Sequence, residues 1–168
     1  MQRRTFLRQT AVGLTALGAS TLPVFAAGWK EGTPIPPLST FGLEGALPNL
    51  KGKVVYLDFW ASWCGPCKVS FPVLNKWHSE LGAKGFTVLA VSVDENAADM
   101  HDFLTKTHVS FPVVRDAGHK LVAAANVSSM PTAFLIDRAG TIRQVHNGFR
   151  KTDEAPLAEQ INALLGKA

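Results

Sequence analysis

Only two of the 168 residues are cysteine, Cys64 and Cys67. That is too few for the disulfide framework that staples a small exported domain. The five histidines (78, 101, 108, 119 and 146) make no pair at metal-ligand spacing, and there is no second cysteine pair. The four ligands of a structural zinc site are therefore missing. No basic block interleaved with aromatics occurs, so the electrostatic footprint of a nucleic-acid binder is absent. No repeat or low-complexity segment interrupts the chain. The uncharged stretch from Gln9 to Phe25 is broken by threonines, Gly13 and Gly18. It falls short of the roughly 20 apolar residues that a membrane span needs.

The first 26 residues read as an export signal of twin-arginine type. Arg3-Arg4-Thr5-Phe6-Leu7-Arg8 precedes the uncharged stretch, and Val24-Phe25-Ala26 sets small residues at −3 and −1 of a cleavage site. The expected location is the periplasm, or the membrane surface if the signal is retained as an anchor. The formal charge of +4 comes mostly from this segment: without its three arginines the chain carries 14 basic and 13 acidic residues. Residues 27–40 read as an extended lead-in, and residues 41–168 as one domain with one core.

Four prolines (34, 36, 37 and 48) mark the stretch from Ala27 to Pro48, with a short strand expected near Leu38–Leu43. Val54–Trp60 is apolar apart from Asp58 and reads as a strand buried on both faces. A helix is expected from about Cys64 to Leu81, kinked at Pro72 and capped at Gly82. Strands follow at Phe86–Val93, Phe111–Val114, Ala133–Asp137 and Thr141–His146. Helices are expected at Ala97–Lys106, His119–Ala125 and from Thr152 or Asp153 to Leu165. The order β-α-β-α-β-α-β-β-α predicts an α/β fold, a mixed sheet with helices on both faces.

Two thiols separated by Gly65 and Pro66 can close a small ring. Cys64 opens a helix, where free N–H groups and the positive end of the dipole favour a thiolate, the attacking species in disulfide exchange. Cys67, one turn on, is the resolving thiol. Pro66 removes a donor from the first turn and Gly65 adds no charge, a pairing that argues for a reducing dithiol. An inert disulfide is the poorer reading, because so short a loop removes little unfolded-state entropy. A thiol peroxidase needs a cysteine outside the pair, and the sequence has none. A metallochaperone using the same thiols is the alternative function, but it wants a further soft ligand. No cofactor or metal is expected.

The run Asp58-Phe59-Trp60-Ala61-Ser62-Trp63-Cys64-Gly65-Pro66-Cys67-Lys68, with Pro72 beyond it, resembles the thioredoxin active-site segment. Met130-Pro131-Thr132-Ala133-Phe134-Leu135-Ile136-Asp137 and Phe111-Pro112-Val113 are similar to the exported TlpA/ResA branch of that family, as is an added helical insert from Glu95 to Ala125. The resemblance covers about Phe41–Leu165. It implies a thioredoxin fold with an N-terminal extension and a cis peptide before Pro131. The implied catalytic set is Cys64, Cys67, Asp58 and Pro131, with Trp63, Gly65, Pro66 and Met130 meeting the substrate. Asp58 would move a proton to or from Cys67. Thioredoxin keeps a lysine near this acid, and the matching position here is Ala90. The resemblance further implies a monomer that reduces disulfides of client proteins, in cytochrome c maturation or copper-site assembly, and a membrane thiol-electron transporter that supplies its electrons. Trp60, like Trp63, reads as either a rim residue of the site or core, Trp77 and His78 as packing or surface residues, and Lys68 as either an electrostatic aid to the thiolate or a solvated charge.

Overall fold

The computed structural model describes residues 28–166, so the signal-like segment lies outside the described residues. Five strands form one sheet in the order β3-β2-β1-β4-β5. These are β1 (Val54–Trp60), β2 (Phe86–Ser92), β3 (Val113–Arg115), β4 (Thr132–Ile136) and β5 (Ile142–Asn147). β1, β2 and β3 run parallel, whereas β4 lies antiparallel to both β1 and β5. The helices are α1 (Gly65–Leu81), α2 (Ala97–Thr107), α3 (Lys120–Ala124) and α4 (Glu154–Leu165). The element order is the one the sequence pattern predicts, with boundaries displaced by a residue or two.

Strand alternation divides the core in two. Val54, Tyr56 and Trp60 of β1 face Phe71, Leu74 and Trp77 of α1 and Leu157 and Ile161 of α4. Val55, Leu57 and Phe59 face the opposite layer, with Leu121 of α3 and Leu38 of the lead-in. Both faces of β1 are sealed, which is why its sequence is continuously apolar. The lead-in covers much of the second face. Trp29 packs edge-on against Phe134 and Phe59, with ring centroids 5.2 and 6.4 Å apart.

The strand expected near Leu38–Leu43 is instead a 3-10 turn, Leu38–Phe41. The Thr40 N–H and hydroxyl both donate to the Pro37 carbonyl, closing the turn. Leu38 is thereby buried, and the segment's pairing is reduced to an isolated bridge between Glu44 and Arg115. Gly82 ends α1 in right-handed geometry, and the chain reverses only at Gly85, whose φ of 89° needs glycine. α1 continues through Pro72. Asn96 precedes α2 without a capping bond from its side chain.

Candidate active site

Cys64 is the N-cap of α1, with Gly65 and Pro66 in the first turn. The two cysteines are joined as a disulfide, their Cα atoms 5.3 Å apart. The Cys67 N–H donates to Cys64 Sγ at 3.2 Å. That donor, together with the helix dipole, would stabilise negative charge on Cys64 once the bond is reduced. The pair is asymmetric: Cys64 is 4% exposed and Cys67 fully buried. Of the pair, only Cys64 keeps any accessible surface. Around it Trp63 stands 70% exposed, and Gly65 and Pro66 are exposed as well.

Asp58 lies on the β1 face that also carries Tyr56 and Trp60 and meets the layer containing Cys67. It is 1% exposed, and its Oδ2 has no hydrogen-bond partner. Burial alone pushes the carboxyl well above the usual carboxylate range. The register sets Ala90 and Ala133 on either side of it. The position that would carry a lysine in thioredoxin is thus an alanine, and no cation on the neighbouring strands lowers that carboxyl.

The Met130–Pro131 peptide is cis, the isomer the resemblance implies. Met130 and Trp63 line the same groove of about 640 Å³, so the loop before β4 and the dithiol loop meet at one surface. The groove continues past Val122 and Val127 to Asp94, Glu95 and Asp99.

Asp94, which the sequence reading passes over, ties the dithiol loop down. It is buried, and both carboxylate oxygens accept from the Ser62 N–H at 3.1 Å. Its Oδ1 also takes the Ser62 hydroxyl and its Oδ2 the Ser92 hydroxyl, each at 2.8 Å. Ser62 is two residues before Cys64, so the approach to the nucleophile is pinned to the end of β2. Arg115 holds the same segment by donating to the carbonyls of Asp94 and Glu95, and it pairs with Glu44. The available signal was an acid just past a buried parallel strand, at the carboxyl edge where α/β sites gather. Among the described residues, no group of three or more His, Cys, Asp or Glu side chains is placed to hold a metal ion.

Comparison with known proteins agrees with this geometry. The Redoxin family profile matches residues 30–161. The thiol-disulfide oxidoreductase ResA of Bacillus subtilis (strain 168) is 36% identical over 155 residues, covering 88% of this chain and 87% of that protein. The ResA of Geobacillus kaustophilus (strain HTA426) is 32% identical over 156 residues, covering 88% and 89%. A crystal structure assigned as the thiol:disulfide interchange protein DsbE from Chlorobium tepidum superposes with a TM-score of 0.78 at 42% identity, covering 83% of this chain and all of that one. A thioredoxin-like sheet, a Cys-Gly-Pro-Cys pair at a helix start and these relatives together make the chain a member of the Redoxin family, a thiol-disulfide oxidoreductase of ResA type.

Proposed function

We propose that the protein is exported and works as a reductant of client disulfides, with Cys64 as attacking thiol and Cys67 as resolving thiol. The observation that carries the assignment is the asymmetry of the pair. Cys64 keeps a sliver of accessible surface at the start of α1, whereas Cys67 is sealed behind it, facing the layer where Asp58 is buried. In the reduced protein the Cys64 thiolate attacks one client sulfur and expels the other, giving a mixed disulfide. Cys67 then gives its proton to Asp58 in its ionised form, which the raised pKa makes a strong base. The Cys67 thiolate attacks Cys64 Sγ and releases the client sulfur bound to it. Two electrons pass to the client, and the Cys64–Cys67 disulfide remains. The backbone beside cis-Pro131, with Met130, Trp63, Gly65 and Pro66, forms the surface on which an extended client segment lies.

The twin arginines of residues 1–26 support export to the periplasm. A reductant kept there needs electrons from a membrane thiol transporter, because the compartment is held oxidising. Cysteines of an apocytochrome c or of a copper site are the clients favoured by the resemblance to the TlpA/ResA branch.

The test has two parts. The mature protein should catalyse insulin disulfide reduction, lose that activity in Cys64→Ser, and accumulate a mixed disulfide with its client in Cys67→Ala. Its reduction potential should lie near the thioredoxin value of about −270 mV. A potential near about −120 mV, that of a strong oxidant, would overturn the reductive assignment. Tight stoichiometric copper binding without reductase activity would replace it with the metallochaperone.

A further inference from the structure

Asp58 is sealed, yet the reaction requires it to gain and lose a proton. The strand register shows where a partner stands. Val113, Ala90, Asp58, Ala133 and His146 lie side by side across all five strands. Directly paired residues project to the same face of a sheet. His146 therefore shares the face of Asp58, two strands away, with only the Ala133 methyl between them. At about 5 Å per strand pair their Cβ atoms are about 10 Å apart.

Both groups are underpartnered: Asp58 Oδ2 and His146 Nε2 are buried without a hydrogen bond. The nearest charge to Nε2 is Asp153 Oδ2 at 3.5 Å. Asp153 is anchored in turn by the Arg150 N–H at 2.8 Å. Tyr56, on the same face of β1, joins the two ends, since its hydroxyl is raised by burial and then by the fields of both Asp58 and Asp153. The cluster is graded in exposure. Asp58 is closed, whereas the side chains of His146 and Asp153 are 21% and 28% open to solvent. Few other titratable groups face it. Cys67 comes from α1, and β2 and β4 contribute only Ala90 and Ala133 to the row. Glu154 at the start of α4 is taken up by Lys76 at 3.4 Å, and Arg150 and Lys151, just before α4, are exposed.

We propose that His146, held by Asp153, is the proton-sharing partner of Asp58 and connects it to solvent. This rests on the proton role given to Asp58 above. The proton leaves Cys67 for the Asp58 carboxylate, passes across the Ala133 position to the imidazole, and is released from there to bulk solvent. No electrons move in these steps. His146 acts through Asp58 and never touches the sulfurs.

The experiment is a double-mutant cycle of Asp58→Asn and His146→Gln on the mature protein. One readout is the Asp58 titration followed by NMR with ¹³C-carboxyl aspartate. The other is stopped-flow, single-turnover reduction of a disulfide peptide. In H146Q the Asp58 midpoint should rise, since any charge the imidazole carries is positive, by at most about one unit, the size of a unit charge at about 10 Å in a protein-like dielectric. Resolution of the mixed disulfide near neutral pH should slow roughly tenfold, the lower range for loss of a proton-transfer group. In the D58N background, H146Q should change the rate less than twofold. An unmoved Asp58 midpoint overturns the proposal, as does equal slowing with and without Asp58. A D58N protein that resolves at the wild-type rate overturns the Asp58 role itself, and the relay with it. Should H146Q fold poorly, Asp153→Asn, which frees the imidazole from its anchor, must slow resolution in the wild-type background but not in D58N, and its failure to do so counts against the proposal equally.

Discussion

Replacing Asp58 by Asn should make the protein more stable and less active, and the stability gain should depend on pH. Asp58 is 1% exposed, sits between two alanines and has an unpartnered Oδ2. Ionising such a group costs several kcal/mol even after relaxation. Its folded pKa is raised by burial, so the folded state keeps a proton that the unfolded chain gives up near pH 3.9. The stabilising contribution of the protonated form is complete below that value. It is lost progressively as pH rises through the raised folded pKa. Asn has nearly the same shape and no charge, but its amide is itself buried without partners at a cost of about 1–3 kcal/mol. The net gain for D58N should therefore be about 1–3 kcal/mol at pH 8 and close to zero at pH 4. Urea unfolding of the disulfide form isolates this effect from thiol ionisation. With a slope of about 2 kcal/mol/M, the midpoint at pH 8 should move up by roughly 1 M. A difference that stays constant from pH 4 to pH 8, or a D58N protein less stable than wild type at pH 8, would refute the argument. On the proposed mechanism insulin reduction by the same variant should fall, because Cys67 loses the base that would take its proton.

Three further perturbations test other parts of the structure. Asp94→Ala strands the Ser62 N–H and two hydroxyls, which should cost about 3 kcal/mol of stability and lower kcat/KM for insulin reduction about tenfold; Asp94→Asn, which still accepts from Ser62, should stay within about threefold in kcat/KM, and equal losses in both variants would contradict a clamping role. Trp29→Ala should cost roughly 2–3 kcal/mol by differential scanning calorimetry, since it removes two edge-on aromatic contacts and uncovers the second core face; a loss under about 0.5 kcal/mol would mean the lead-in is dispensable. His78 Nδ1 accepts the Val88 N–H at 3.2 Å, and its pKa is lowered by burial and then by Lys53. The unfolded chain therefore takes up the proton first, and stability should fall as pH drops from about 6.5 through the lowered folded pKa. In the D58N background His78→Gln should flatten that slope between pH 7 and pH 5, and an unchanged slope would show that His78 carries none of it.

Much of this protein is legible in short stretches of sequence. Cys64-Gly65-Pro66-Cys67 depends on a strand end, a helix start and one turn of helix, all local. The burial of β1 on both faces is likewise written into seven successive residues. The strand expected at Leu38–Leu43 failed for the opposite reason. Its apolar pattern was compatible with a strand, but strands need an edge to pair with, and Pro37 offered a turn closed within three residues.

What the sequence determined alone is the chemistry: two thiols at the spacing of one helical turn, opening a helix after a buried strand, in a chain with no other cysteine. Tertiary structure decided what surrounds them. Only strand register could set Ala90 and Ala133 against Asp58 and bring His146 into the same row, because one residue of slip would turn each side chain to the other face. Only the packing of β2 beside β1 could bring Asp94 to Ser62, 32 residues away in the chain. Local sequence carries a side chain's reactivity. Lateral neighbours across a sheet are set by the summed burial of both faces, a property no single segment contains.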